Sequence, residues 1–539
     1  MSLLPTPHED LLRTVGAVAD EQEIEAYLVG GAVRDAFLDR VTTDLDFVTI
    51  GEGTGTRLAD AVAQRLGGRS VHVYETFGTA AIRIPATGGD PAADEAYVLE
   101  FVAARKESYQ RDSRKPDVEA GSLEDDQLRR DFTINALAMA LNGARFGNLL
   151  DPFGGMIDLV ARKLRTPRDP RQTFEDDPLR MLRAARFAAQ LGFTIEIDAL
   201  RAMKEKAPRI EIVSQERITD ELNKILLTAQ PSVGLGILHN ARLLDHFFPE
   251  LPALEGVETM NGQGHKDNFY HTLQVVDHAA EATAHWDERR ALWLRWAALL
   301  HDIAKPQTKR FVQGTGWTFH GHEDRGARQI PELFRRLKLP TDERMKHVQE
   351  LVRLHHRPVA LVDEEVTDSA VRRLLFEAGD AIDDLMTLVR ADITSKNPQR
   401  VRKYLAAFDS VEEKFAHVEE KDHLRNFQPP VDGHEVMEVL GVEEGIAVGI
   451  AKEWIREAIL EGDIPNEHGP AYNYLVEHRD DALRRAELFE VFMTEATGPE
   501  RAAMGAIKEA VFWDDLPEDR DEAIGKLRSV AAEALSARR

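Results

Sequence analysis

The segment AYLVGGAVRDAFLDRVTTDLDFVTI, Ala26 to Ile50, reads as a strand, a tight turn, a short helix and a second strand. Ala26–Val29 is an apolar run that stops at Gly30-Gly31, a turn signal, and a helix follows from Ala32. Asp44–Ile50 is the second strand. Residues two apart on a strand share a face, so Asp44 and Asp46 stand side by side while Leu45 and Phe47 turn to the core. Two hard carboxylates this close suit Mg²⁺, which keeps several waters and completes its shell with substrate phosphates. Ions held there can activate an attacking hydroxyl and stabilise a leaving pyrophosphate. The paired glycines, with Gly31 opening the helix, let backbone N–H groups approach a triphosphate, and a helix N-terminus favours anions. Arg34 is placed to neutralise a phosphate.

Outward from this segment, Arg69–Tyr74, Ala80–Pro85 and Tyr97–Ala103 read as further strands. Pro85 to Pro91 reads as a surface hairpin loop. Ala104 to Gln127 is polar and poor in core residues, and reads as a mobile loop over the site. Glu100, on the strand around Leu99, is either a third carboxylate beside the pair or an exposed strand residue; both stay open. Strand signals fade after Asp151, and from Pro178 the chain is nearly all helical pattern. The expected class is therefore α+β, with a small mixed head followed by helical regions. Breaks at Leu251–Gly264, Ser395–Pro398 and Phe427–Gly433 suggest domains at 20–155, 156–255, 262–400 and 405–539. No role is assigned after about residue 475.

The chain has 539 residues, enough for three to five domains at roughly 150 residues each. With 43% hydrophobic and 30% charged residues it reads as globular. There are no cysteines, which excludes disulfide scaffolds, Cys-zinc sites, iron–sulfur clusters and thiol nucleophiles. The start, MSLLPTPHED, lacks a basic region followed by an apolar run, and no stretch is apolar enough to span a bilayer, so neither export nor a membrane is expected. The net charge of −26 opposes a polyanionic partner only globally, because a basic groove can sit on an acidic protein. Arg162, Lys163, Arg165, Arg168 and Arg171 form such a local basic run.

Two further constellations carry chemistry. Asp177, Arg180, Arg183 and Arg186 are three apart, cover one broad helix face and follow or flank Pro178. An Asp–Arg pair offers both acceptors and donors to a base edge, so Asp177 with Arg180 can select a base without a template, whereas a salt-bridge ladder is the plainer alternative. His271, His301-Asp302 and Asp392 form the other set. Imidazole with carboxylate suits a transition metal better than Mg²⁺. His322, His355 and His356 can hold a second ion or a substrate phosphate.

These motifs carry a resemblance. Gly30-Gly31 through Asp35 with Asp44-Leu45-Asp46, Arg129-Arg130-Asp131-Phe132-Thr133-Ile134-Asn135-Ala136, and Asp151-Pro152-Phe153-Gly154-Gly155 resemble the class II tRNA nucleotidyltransferase and bacterial poly(A) polymerase family, with its polymerase-β-like head. Asp176-Asp177-Pro178-Leu179-Arg180 resembles that family's EDxxR motif, with Asp176 in place of Glu. Glu216-Arg217-Ile218 to Glu221 and Lys224 is similar to its next, less specific block. The histidines, with Leu299-Leu300-His301-Asp302-Ile303, resemble the HD phosphohydrolases.

The resemblance implies that Asp44 and Asp46 are catalytic and hold Mg²⁺. It implies that Gly31, Arg34, Arg183 and Arg186 hold the triphosphate, Arg130 helps place the nucleotide, and Asp177 and Arg180 read CTP or ATP. It further implies a metal at His271, His301, Asp302 and Asp392, with phosphohydrolase activity left open. The expected function is template-independent addition of C, C and A to tRNA 3′ ends in the cytoplasm. The tRNA acceptor arm, CTP and ATP are the expected partners, and no obligate protein partner is implied. Poly(A) addition, CC-only or A-only addition, and an HD phosphohydrolase with an RNA-binding amino-terminal region remain alternatives.

Overall fold

The computed structural model describes residues 6–74, 78–85, 96–108, 117–260, 263–264, 267–363, 367–395, 397–422 and 428–536. They form two compact units, Met1–Val352 and Arg353–Arg539. The first unit opens with α1 (Thr6–Glu21), β1 (Ala26–Val29), α2 (Gly31–Phe37), β2 (Asp44–Thr49) and α3 (Thr54–Arg65). Then come β3 (Val71–Tyr74), β4 (Thr79–Pro85), β5 (Ala96–Ala103), β6 (Arg105–Ser108), β7 (Asp117–Ala120), α4 (Leu123–Leu128), β8 (Ala138–Ala140) and β9 (Leu149–Leu150). Seven strands make one mixed sheet in the order β3-β4-β5-β2-β1-β8-β9. Only β2 and β5 pair in parallel; the other neighbours are antiparallel.

Alternation along β2 divides the head as expected. Leu45 and Phe47 join the core with Leu12, Val15, Leu58 and Val62 of α1 and α3, and Phe47 stacks on Phe101 at 4.7 Å. Asp44 and Asp46 take the opposite face, which leaves the carboxylates uncovered by either helix. The segment 104–127 differs from the expected loop. Its described ends form the β6–β7 hairpin, and α4 follows with a capping box between Ser122 and Asp125. Composition could not show this, because the hairpin is held by backbone pairing rather than by apolar side chains. Residues 86–91 of the expected hairpin loop lie outside the described residues.

The motif after the sheet is a brace. Asp151 accepts from Gly155 N at 2.6 Å and Met156 N at 2.9 Å, starting α5 (Gly155–Val160). A Cβ at Gly155 would lie 2.3 Å from the Thr133 carbonyl oxygen, so glycine is required there. Thr133 in turn donates to Asp158 of α5 at 2.6 Å. The RRDFTIN and DPFGG motifs thus lock onto each other.

Helices α6 (Pro170–Asp176), α7 (Leu179–Leu191), α8 (Ile197–Lys206), α9 (Gln215–Leu226), α10 (Pro231–Asn240), α11 (Leu244–Phe247), α12 (Asn268–Ala282) and α13 (Glu288–Leu300) follow. Buried Arg295 of α13 donates to the carbonyls of Leu226, Thr228 and Ala280 and to Thr283 Oγ1, and Trp296 Nε1 donates to Asn223 at 2.8 Å. These bonds satisfy the C-terminal carbonyls of α9 and fasten it to α13. The first unit continues with α14 (Lys305–Thr308) and α15 (His322–Arg336). The described residues of the second unit hold no strand; Arg373 there pairs with Glu457 at 2.6 Å, and Trp454 donates to the Phe512 carbonyl at 2.8 Å. No helix among the described residues is long and apolar enough to cross a membrane.

Candidate active site

Above the uncovered face of the sheet lies a cavity of 570 Å³. Its lining includes Gly30, Gly31, Arg34, Asp44, Asp46, Arg130, Asp177, Arg180, Arg183 and Arg186, so the nucleotide and carboxylate residues expected from the amino-terminal motifs meet in one place. Eight cationic side chains and five carboxylates line it, which makes it locally positive on an acidic chain.

The floor is β2. Asp46 stands opposite Val29 of β1 and Glu100 of β5 in the sheet register. Burial pushes the Asp46 carboxyl above its ordinary value; Arg130 pulls it back, and Asp44 and Asp126 add to the rise. Burial, Asp46 and Asp44 raise Glu100 as well. Carboxylates that destabilise one another this way fit a divalent cation, which relieves the repulsion with hard oxygen donors. Gly30 turns the chain from β1 into α2 at φ 75°. A Cβ there would meet Arg130 Nη1 at 2.8 Å and Asp46 Oδ2 at 3.4 Å. Glycine therefore serves both the backbone turn and the close approach of Arg130.

Acceptors within the fold anchor the arginines of the wall. Arg34 donates to Asn135 at 2.7 Å and pairs with Asp35 at 2.8 Å. Arg129 and Arg130 share Asp126, whose side chain is fully buried. Arg183 pairs with Asp131 at 2.6 Å, and Arg186 with buried Glu221 of α9 at 2.7 Å. Burial alone would raise the Asp131 carboxyl, but Arg183, Asn135 and Arg180 hold it down at about 2. Asp126 and Asn135 had no assigned role in the sequence reading, and Glu221 was only part of a weak motif. Asp126 is only four residues from Arg130, but Asn135 is 101 residues from Arg34 and Glu221 is 35 from Arg186, so the signal for those two lies in tertiary contacts.

Asp177 and Arg180 differ in detail from one continuous helix. Asp177 is extended, at φ −136° and ψ 98°, between α6 and α7, because the residue before a proline disfavours the helical region. Pro178 then caps α7. Asp177 faces the cavity, accepts from Leu179 N at 3.2 Å and lies 3.8 Å from Arg217 of α9. Arg180 donates to the Arg129 carbonyl at 2.6 Å and also lines the cavity. Asp176 does not line it; it holds Arg168 and accepts from Gln172 at 2.7 Å. The local basic run is largely neutralised: Lys163 pairs with Glu196, Arg165 with Asp158, Arg168 with Asp176 and Arg171 with Glu205. The positive surface is the cavity instead.

The histidine block gathers around Asp302, which is buried. His301 Nε2 lies 3.2 Å from Asp302 Oδ2, His271 Nε2 3.5 Å from the same atom, and His322 Nε2 3.2 Å from Oδ1. The Nδ1 atoms of His301 and His322 face the carbonyls of Ala298 and Phe319, both at 2.8 Å. A proton on each Nδ1 leaves Nε2 as a lone-pair donor turned to the carboxylate, the orientation a metal ligand needs. Lys305 also pairs with Asp302 at 2.6 Å. Burial opposes ionisation of Asp302, yet His301 and Lys305 keep its carboxyl well below its ordinary range. His322 therefore stands at the same carboxylate as His271 and His301. Asp392 ends the helix Ile382–Asp392 of the second unit.

Comparison with known proteins follows this geometry. Residues 26–165 match the Poly A polymerase head domain, 192–254 the probable RNA and SrmB-binding site of polymerase A, and 268–382 the HD domain. The chain is 33% identical over 453 residues to the A-adding tRNA nucleotidyltransferase of Deinococcus radiodurans, covering 81% of this chain and 92% of that one. It is 32% identical over 392 residues to the multifunctional CCA protein of Tolumonas auensis, covering 71% and 87%. Its fold is similar to that of a CCA-adding enzyme solved with ATP, at a TM-score of 0.57 and 21% identity, covering 89% and 97%.

Proposed function

The chain belongs to the tRNA nucleotidyltransferase and poly(A) polymerase family, and from that premise we propose that it adds C, C and A to the 3′ end of tRNA from CTP and ATP. It is a nucleotidyltransferase of the divalent-metal-using kind. One observation carries the specific proposal: the Asp44/Asp46 pair and the Asp177/Arg180 pair line the same arginine-rich cavity. Chemistry and base selection can then act on one bound nucleotide, with no template.

In this reading the tRNA 3′-hydroxyl attacks the α-phosphate, a new O3′–P bond forms, and the bond to pyrophosphate breaks. Asp44 and Asp46 would hold Mg²⁺, with Glu100 beside them, and the ion supplies activation of the hydroxyl and stabilisation of the leaving pyrophosphate. Arg34, Arg183 and Arg186, with the backbone at Gly31, orient the triphosphate and offset its charge. Arg130, fixed by Asp126, places the nucleotide. Asp177 and Arg180 pair with the base edge; Arg217 and the Arg129 carbonyl must release them for that. The helical region 405–539 cradles the acceptor arm, and work on tRNA puts the protein in the cytoplasm. His271, His301 and Asp302 of the first unit would hold a transition metal for phosphohydrolase chemistry, with His322 as an added ligand.

A second reading, addition of A alone, is favoured by the Deinococcus relative. Asp44→Ala and Asp46→Ala are expected to lower incorporation at least about 10³-fold while leaving the fold intact. Asp177→Ala is expected to keep transfer but to admit UTP and GTP alongside CTP and ATP. Full activity in Asp44→Ala, or unchanged base choice in Asp177→Ala, contradicts the assignment.

A further inference from the structure

Phe187 of α7 lines the cavity but carries no group that could bind or transfer a proton. Its ring is 4% exposed and packs edge-on against Phe132 at 5.9 Å. Three guanidinium groups surround it: Arg186 Cζ is 4.2 Å from the ring centroid, Arg34 5.1 Å and Arg183 5.3 Å. All three are within the reach of a cation–π attraction, which strengthens when the cation is desolvated. They are also the three arginines proposed above to hold the triphosphate.

Three like charges around one ring repel one another before any phosphate arrives. Burial, together with Arg183 and Arg34 nearby, lowers the Arg186 guanidinium below its ordinary value against the pull of Glu221. Their anchors come from two segments: Asn135 and Asp131, which are hydrogen-bonded to each other at 2.9 Å in the RRDFTIN motif, and Glu221 of α9. The ring lies within cation–π reach of all three, and its negative faces offset their repulsion.

We propose that Phe187 is a positioning residue for triphosphate recognition, holding Arg34, Arg183 and Arg186 in one preorganised cluster through the electrostatics of its ring. The inference rests on the proposed triphosphate role of those arginines. It goes beyond packing, because an aliphatic side chain of equal bulk would fill the space without offsetting the repulsion among the cations. The action is on phosphate, not base, so CTP and ATP are affected alike.

The test replaces Phe187 in the full-length protein with 4-fluoro-, 3,5-difluoro- and 3,4,5-trifluorophenylalanine, which weaken the ring quadrupole stepwise at nearly constant shape. KM for CTP and for ATP is expected to rise in step with fluorination, reaching about fivefold to tenfold, while kcat changes less than about twofold. Arg186→Ala is measured beside the series and is expected to raise both KM values. A flat fluorination series with a raised KM in Arg186→Ala overturns the positioning role alone. An unchanged KM in Arg186→Ala overturns the triphosphate reading and the inference with it. A shift confined to one nucleotide also overturns it, because a cluster that binds phosphate cannot discriminate bases.

Discussion

At the scale of single residues, most cations of the site are tied to a buried acceptor. Asp131 is the most informative of these, because its environment gives a signed prediction. Its folded-state carboxyl is held at about 2, against an ordinary value of 3.8. A depressed carboxyl contributes stability above the unfolded value and loses it as pH falls toward the folded one. The shift corresponds to about 2 kcal/mol. Urea unfolding should therefore show Asp131→Asn less stable than wild type by about 2 kcal/mol at pH 5, with the gap clearly narrower by pH 3. A gap independent of pH contradicts the ion pair with Arg183. The residues that line the cavity were legible in the sequence, since Asp44, Asp46, Arg34 and Asp177 sit in short motifs whose chemistry is local. Glu221 was not, because what it does depends on an arginine 35 residues away that only folding brings within 2.7 Å.

At the scale of elements, the strand–turn–helix of β1 and α2 governs the site. The alternation in β2 foretold which face carries the carboxylates, and the register of β2 with β5 now puts Glu100 beside Asp46. The turn at Gly30 is tighter than a plain turn signal implies, because Arg130 occupies the space a side chain would need. Gly30→Ala should cost about 1–2 kcal/mol in stability from the left-handed backbone. By displacing Arg130 it should also lower kcat/KM for nucleotide about tenfold or more. Thermal unfolding and steady-state kinetics check the two effects separately. Retention of wild-type kinetics would mean that Arg130 does not act on the nucleotide. The hairpin of β6 and β7 stayed illegible, because its residues have neither strand-like alternation nor apolar bulk. The break at Asp177 was readable in principle from the proline that follows it.

At the scale of the whole molecule, a chain of net charge −26 gathers eight cationic side chains at one cavity, so its global charge does not oppose a triphosphate there. The charge run at 162–171 suggested otherwise until its ion pairs were seen. The same chain carries a second cluster of side chains around Asp302, and the two proposed metal centres use different donors. His301→Ala should therefore leave nucleotide incorporation within about twofold of wild type. The same change should abolish transition-metal-dependent hydrolysis of a phosphomonoester, whereas Asp44→Ala does the reverse; joint loss of both activities in either variant contradicts separate centres. The most direct test of the central claim is product length on two tRNA substrates, one ending at the discriminator base and one ending in CC. Each is given Mg²⁺ with CTP, ATP or both. Two C and then one A on the first tRNA, one A on the second, and arrest thereafter is the result expected. Incorporation of A only, and only on the CC-ended tRNA, or a long A tail on either, would contradict addition of C, C and A.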